Sequence, residues 1–100
     1  MIDLALIVGF DWDEGNRRKN EDKHSVSQTE VEQMFLNEPL LLSPDPAHSA
    51  SEPRHHALGG TDAGRLLHVT FTLRRNGELI RVISARDMSR KERLRYEQEE

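Results

Sequence analysis

Apolar and polar side chains alternate from Leu66 to Arg74, and branched residues dominate from Leu79 to Ala85. A period of two over runs of this length predicts strands with one apolar face. The runs are separated by Arg75-Asn76-Gly77-Glu78, and Asn-Gly tolerates the positive φ of a two-residue hairpin turn. Such a turn sets a register: Arg75 opposite Glu78, Leu73 opposite Ile80, Phe71 opposite Val82 and Val69 opposite Ser84. These pairs share the core face. The other face then carries Arg74 with Leu79, Thr72 with Arg81, Thr70 with Ile83 and His68 with Ala85. His68, Thr70, Thr72 and Arg81 thereby form a polar row. A further strand near 54–59 is expected beside this hairpin.

Elsewhere the pattern is weaker. Residues 6–12 are short, apolar and rich in strand formers (Ile7, Val8, Phe10, Trp12), which predicts a strand. The stretch 13–23 is polar without an apolar stripe, a marginal helix that tertiary contacts must hold. Ser27-Gln28-Thr29-Glu30 has capping-box spacing, and Val31, Met34 and Phe35 follow on one side of a short helix that Pro39 stops. Residues 37–56 hold every proline of the chain, a long loop with a short strand at 40–42; a loop of this length in a small domain is functional or mobile. Ser89-Arg90-Lys91-Glu92 is a second capping box and opens a terminal helix of about ten residues, with Leu94 and Tyr96 as anchors. Its basic residues (Arg90, Lys91, Arg93, Arg95) oppose the helix macrodipole, a placement that stability alone would not choose. The expected architecture is α+β: a small antiparallel sheet with N-terminal helices and a C-terminal helix. It forms a single domain over 1–100, in which 1–8 are an N-terminal extension.

Composition narrows this picture. With 100 residues, 35% of them apolar and only 5% aromatic, the chain can build one modest, mostly aliphatic core. The absence of cysteine excludes a disulfide scaffold, a thiolate zinc site and a cysteine nucleophile, and fits a cytoplasmic protein. No apolar run approaches the roughly 18 residues of a membrane span. Residues 1–8 lack a basic n-region and a cleavage site and carry Asp3, so they read as the start of the fold and not as a signal peptide. The net charge is −4, but residues 65–95 alone carry 9 Lys/Arg against 3 Asp/Glu. Two readings stay open: a face for an anionic partner, or two halves that neutralise each other.

Strong catalytic spacings are missing: no H-E-x-x-H, no G-x-S-x-G and no phosphate-binding glycine loop. In an extended segment His55 and His56 point to opposite faces, so neither a metal site nor a cofactor is expected. Two groups stand out. Lys23-His24 offers an imidazole beside a cation, able to act as a base; equally, the pair closes a helix C-terminus, where cations are favoured. The second group is Arg54, Arg74, Arg81 and Arg86. A strand arginine can hold a phosphate in a bidentate grip, or pair with acidic residues such as Glu30 or Glu52. Arg74, near the turn, reads as a solvated charge.

An ordered series of segments resembles one family, the BrnT-type toxins of bacterial toxin–antitoxin pairs. It comprises Phe10-Asp11-Trp12-Asp13-Glu14, Asn20, Lys23-His24, Phe35, Pro44-Asp45-Pro46, Glu52-Pro53-Arg54, Ala57-Leu58-Gly59, Gly64-Arg65, Ile80 through Arg93, and Tyr96-Glu97. The resemblance implies a compact fold similar to RelE-type ribonucleases. It implies an endoribonuclease that cleaves RNA and inhibits translation, neutralised by a BrnA-type ribbon-helix-helix antitoxin. Operator DNA would be met only through the antitoxin complex, and no membrane is involved. RNA brings its own nucleophile, the 2′-hydroxyl, so no metal is required. The family's Lys-His pair falls on Lys23 and His24, its loop arginine on Arg54, and its spaced arginines on Arg81 and Arg86. His24 is then expected to move protons, Arg81 and Arg86 to hold phosphate, and Arg54 to position the backbone. Arg65, His68, Arg90, Lys91 and Arg93 complete the expected RNA-binding set. The chain departs from the family pattern at Ser25, where glycine is common, at Asn16, where lysine is common, and at His68, where the family is often aliphatic or aromatic. The alternatives are a catalytically inactive antitoxin-binding or co-repressor module and a plain nucleic-acid-binding protein.

Overall fold

The computed structural model describes residues 2–15, 18 and 24–99. Its strands are β1 (Gly9–Phe10), β2 (Leu41–Pro44), β3 (His55–Gly60), β4 (Leu66–Arg74) and β5 (Leu79–Asp87). They form one five-stranded sheet in the order β1-β5-β4-β3-β2. The β1–β5 pair is parallel and the other pairs are antiparallel. Helix α1 (Gln28–Leu36) lies between β1 and β2 in the chain, and α2 (Arg90–Glu97) follows β5. Both helices begin with complete capping boxes, Ser27 with Glu30 and Ser89 with Glu92.

The hairpin turn uses positive φ at Arg75, Asn76 and Gly77 (53°, 58° and 91°). The expected register holds from Arg74↔Leu79 to Phe71↔Val82 and then slips by one residue. Ile83 is the extra residue of a β-bulge, after which Thr70 faces Ser84, Val69 faces Ala85 and His68 faces Arg86. The slip corrects the sequence reading in a consequential way. Ala85 turns into the core in place of Ser84, and Arg86 turns out to join Arg81 on the polar face. Regular alternation would have put Arg86 inside.

The strand expected over residues 6–12 shrinks to two residues. Asp3 accepts a hydrogen bond from the Ala5 amide (3.0 Å) and caps a 3-10 turn at Leu4–Leu6, which competes with extended backbone. The Val8 amide then donates to Glu78 O (2.8 Å) and the Asp11 amide to Ile80 O (2.9 Å) on the parallel edge. Ile2 and Ile7 pack against the core.

That core lies between α1 and one face of the sheet. Val31 and Met34 are fully buried against Leu67, Val69, Phe71, Ile80, Val82 and Ala85. Helix and sheet meet closely at Gly59, where an added Cβ would come within 2.6 Å of Met34 Cγ. Phe35 packs edge-on to both Phe10 and Phe71. A smaller cluster on the opposite face joins Leu58, Met88 and Tyr96, and the Tyr96 hydroxyl donates to Pro39 O (2.6 Å). Leu94, expected as a second anchor, is exposed. Two residues apart on a helix, Leu94 and Tyr96 point in nearly opposite directions. Among the described residues no helix is long and apolar enough to cross a membrane.

Candidate active site

Among the described residues, the face of the sheet turned away from α1 is covered at one end, by α2. Over the rest of it a row of polar groups crosses from β2 to β5. At the β2 end, Asp45 is buried and holds two imidazoles: His48 Nδ1 at 3.0 Å and His56 Nε2 at 3.2 Å. His56 Nδ1 lies 3.1 Å from Thr70 Oγ1, and the His56 ring lies tilted against His68 with centroids 4.9 Å apart. His68 Nε2 is 3.8 Å from Glu92, and Glu92 takes Arg86 in a two-pronged pair at 2.8 and 3.0 Å.

The electrostatics of the row follow from these contacts. Burial pushes the His68 imidazole below the usual histidine range, and the Arg86 charge adds to that. Its Nδ1 is buried with no hydrogen-bond partner among the described residues. The Arg86 guanidinium draws the Glu92 carboxyl down to about 2, against the opposing effect of burial. For Asp45, burial acts upward but is outweighed by the hydrogen bond from His48 and the charges of His48 and His56, so its carboxyl is lowered. Among the described residues no three His, Asp or Glu side chains converge as metal ligands.

The residues singled out from sequence fall into separate places. Arg81 shares the open face but binds Asp13 Oδ2 (2.7 Å) and the Asp11 carbonyl (3.2 Å). It sits five residues from Arg86 along β5, about 15 Å of strand. Arg54 immediately precedes β3, and its carbonyl accepts from the Asp45 amide (2.9 Å). Lys23, with Asn16 and Asn20, lies outside the described residues. His24 is at the far end of the strands, where its carbonyl accepts from Arg65 (3.3 Å) and its charge acts on Asp87. Arg65 spends all five of its donors there, on Asp87, Glu30, Ser25 O and His24 O. Arg74, read as solvated, pairs with Glu52. Arg90, Lys91 and Arg93 are exposed on α2.

Sequence reasoning missed Asp45, His48, His56 and Glu92 as members of one row. The signals were present: Asp45 and His48 stand three apart in a proline-started turn, and strand alternation puts His56 beside Thr70.

The family model described as the BrnT ribonuclease toxin of type II toxin–antitoxin systems matches residues 12–92. The chain belongs to the BrnT family. The crystal structure of the Brucella abortus ribonuclease toxin BrnT superposes with a TM-score of 0.62 at 25% identity, covering 83% of this chain and 99% of that one. No curated protein sequence matches the chain. The mixed α+β architecture seen here is therefore the BrnT architecture, and membership of a type II toxin family implies an antitoxin partner.

Proposed function

We propose that this BrnT-family chain is a metal-independent endoribonuclease that cleaves RNA and so inhibits translation. A BrnA-type ribbon-helix-helix antitoxin neutralises it, and operator DNA is met only through that complex. The observation that carries this reading is the open sheet face, where imidazole, carboxylate and guanidinium groups stand in one row on a family fold described as a ribonuclease.

The chemistry needs few parts. The ribose 2′-hydroxyl loses a proton and attacks the adjacent phosphorus, a phosphorane forms, and the 5′-oxygen leaves with a proton. The products are a 2′,3′-cyclic phosphate and a 5′-hydroxyl. A positioned acid or base contributes about 10²–10⁴-fold. Guanidinium donors on the developing charge contribute a further few kcal/mol. The resemblance assigns proton transfer to His24 with Lys23 beside it, phosphate binding to Arg81 and Arg86, and positioning of the backbone to Arg54, although His24 stands beside Arg65 and Asp87, apart from the row of imidazoles on the open face. Of the expected RNA surface, Arg90, Lys91 and Arg93 are exposed on α2 and free to meet the strand, whereas Arg65 has its donors engaged within the chain and His68 is buried. Phosphate must displace Glu92 from Arg86, and Asp13 from Arg81.

Those two carboxylate pairs are also what favours a second reading, a module that binds the antitoxin without cleaving RNA. One experiment separates them. The purified full chain is incubated with single-stranded RNA in excess EDTA, and expression in bacteria is followed by growth and RNA integrity. Cleavage with growth arrest is expected, with rescue by a co-expressed ribbon-helix-helix antitoxin. Failure to cleave with or without divalent cations establishes the second reading; cleavage that EDTA abolishes removes metal independence alone. If His24→Ala and Arg81→Ala both cleave at the wild-type rate, that assignment of roles falls while the ribonuclease stands.

A further inference from the structure

His48 has the geometry of an oriented, solvent-facing imidazole. It ends the 3-10 turn Pro46–His48 between β2 and β3. Both Asp45 carboxylate oxygens lie within hydrogen-bond distance of its Nδ1, at 3.0 and 3.2 Å, while 69% of the side chain is exposed. Asp45 itself is fixed. Its amide donates to Arg54 O (2.9 Å), its carbonyl accepts from Ser49 Oγ (2.6 Å), and that same hydroxyl accepts from the Arg54 amide (2.9 Å). Its carboxylate also reaches His56 Nε2 on the sheet. A carboxylate that accepts the Nδ1 proton sets the tautomer and leaves the Nε2 lone pair pointing outward, the arrangement of a general base. Nε2 of His48 has no partner among the described residues.

The remaining imidazoles of the row are less available. His56 has both nitrogens engaged, by Asp45 and Thr70. His68 is buried beneath the Arg86–Glu92 pair. Outside the row, the His24 carbonyl meets Arg65, which precedes Leu66 at the start of β4, about 16 Å along the strands from His55 beside the Asp45 loop.

We propose that His48, oriented by Asp45, is the general base of the open face and takes the 2′-hydroxyl proton of a bound RNA strand on Nε2. The 2′-oxygen forms its bond to phosphorus as the bond from phosphorus to the 5′-oxygen breaks, and the departing oxygen receives a proton from solvent water. Arg54, anchored to the same loop, lies nearest the scissile phosphate, and Arg86 meets a phosphate farther along the strand. This inference rests on the ribonuclease reading.

The test uses the full chain, a short single-stranded RNA and its 2′-O-methyl counterpart, which binds but cannot be cleaved. His48→Ala is expected to slow cleavage about 10²–10⁴-fold at saturating RNA. Affinity for the 2′-O-methyl RNA and the melting temperature stay unchanged, because the side chain is exposed, and added imidazole restores part of the rate. Asp45→Asn slows cleavage less and leaves that affinity unchanged. Wild-type cleavage by His48→Ala overturns the inference and leaves the ribonuclease standing. A slowed variant that imidazole does not rescue, or that melts early, overturns it in favour of a structural role for the turn. A wild-type chain inert toward RNA removes the ribonuclease reading and this inference together.

Discussion

On the α1 side of the sheet, Leu67, Val69, Phe71, Ile80, Val82 and Ala85 are sealed beneath Val31 and Met34. On the other side, positions one residue away in the same strands hold His56, Thr70, His68, Arg81 and Arg86, and among the described residues α2 covers one end of them. The first face is filled by shape and the second is organised by charge. The bulge at Ile83 keeps them apart, because it turns Ala85 in and Arg86 out at the same step. The two faces should therefore fail differently: damage to the first should unfold the chain, and damage to the second should alter RNA handling or pH response in a protein that still folds.

The largest effect is expected at Phe71. Its ring is fully buried and packs edge-on to Phe35. Phe71→Ala should cost about 3–5 kcal/mol, since the cavity cannot close between sheet and helix. Urea unfolding measures this; a loss below about 1 kcal/mol would mean that the α1 face is not the tightly packed one.

Two arginines sharpen the contrast next. Arg65 directs all five donors to groups of its own chain and ties the capping residue Glu30 to Asp87 at the end of β5. Arg65→Ala should cost about 2–3 kcal/mol, after allowance for the partial exposure of the cluster. Arg86→Ala should cost at most about 1 kcal/mol, because Glu92 keeps its bond from the Ser89 amide (2.8 Å). It should instead weaken RNA binding and reduce the salt slope by about one counterion. Binding isotherms at several salt concentrations, beside melting curves of both variants, would expose a reversed order.

A smaller effect separates the faces by pH. His68 is buried, and its imidazole is held below the ordinary value of 6.5. The unfolded chain therefore takes up that proton first, and the stability from a neutral His68 is lost as pH falls from 6.5 toward the folded value. Burial places the His55 ring in the same class. Glu92 acts in a lower window: with its carboxyl at about 2 against an ordinary 4.5, its contribution is complete above 4.5 and is lost on acidification toward 2. His68→Leu should flatten the upper limb of stability against pH and leave the lower limb intact. It should also gain about 1 kcal/mol at neutral pH by removing a buried unpartnered nitrogen. An unchanged upper limb in thermal melts would assign that titration to His55.

How much was readable before the fold follows the same division. Alternation in β4, the Asn76-Gly77 turn and both capping boxes are local signals, and they gave the hairpin, the start of each helix and the face that carries His68 and Arg81. The bulge left no such mark, because nothing in Val82-Ile83-Ser84 distinguishes a bulged strand from a regular one. Sequence therefore placed Ser84 in the core and did not bring Arg86 to the face of Arg81. Carboxylate partners were equally hidden. Glu92 reads as a capping residue and is one, yet its second role, holding Arg86, depends on where α2 lands. His48 lay within a proline-rich loop whose shape is set by Ser49 and Arg54 bonding back to Asp45, contacts no periodicity encodes.

The smallest predicted effect lies at the turn that leads into α1. Ser25 follows His24 and has φ of 55°, in the left-handed region that glycine enters at little cost. Its carbonyl accepts from Arg65 (2.8 Å), so the backbone there cannot relax without breaking the clamp that joins α1 to the sheet. The side chain is exposed, so its loss costs little packing. Ser25→Gly should relieve the left-handed strain while the unfolded chain gains freedom, and the two effects oppose each other. The net expectation is a gain of about 0.5–1 kcal/mol. Urea unfolding of Ser25→Gly in the wild-type and Arg65→Ala backgrounds tests the link. If the clamp enforces the strained backbone, the gain should appear in the first background and shrink in the second. An equal gain in both would mean that the turn holds its shape without Arg65.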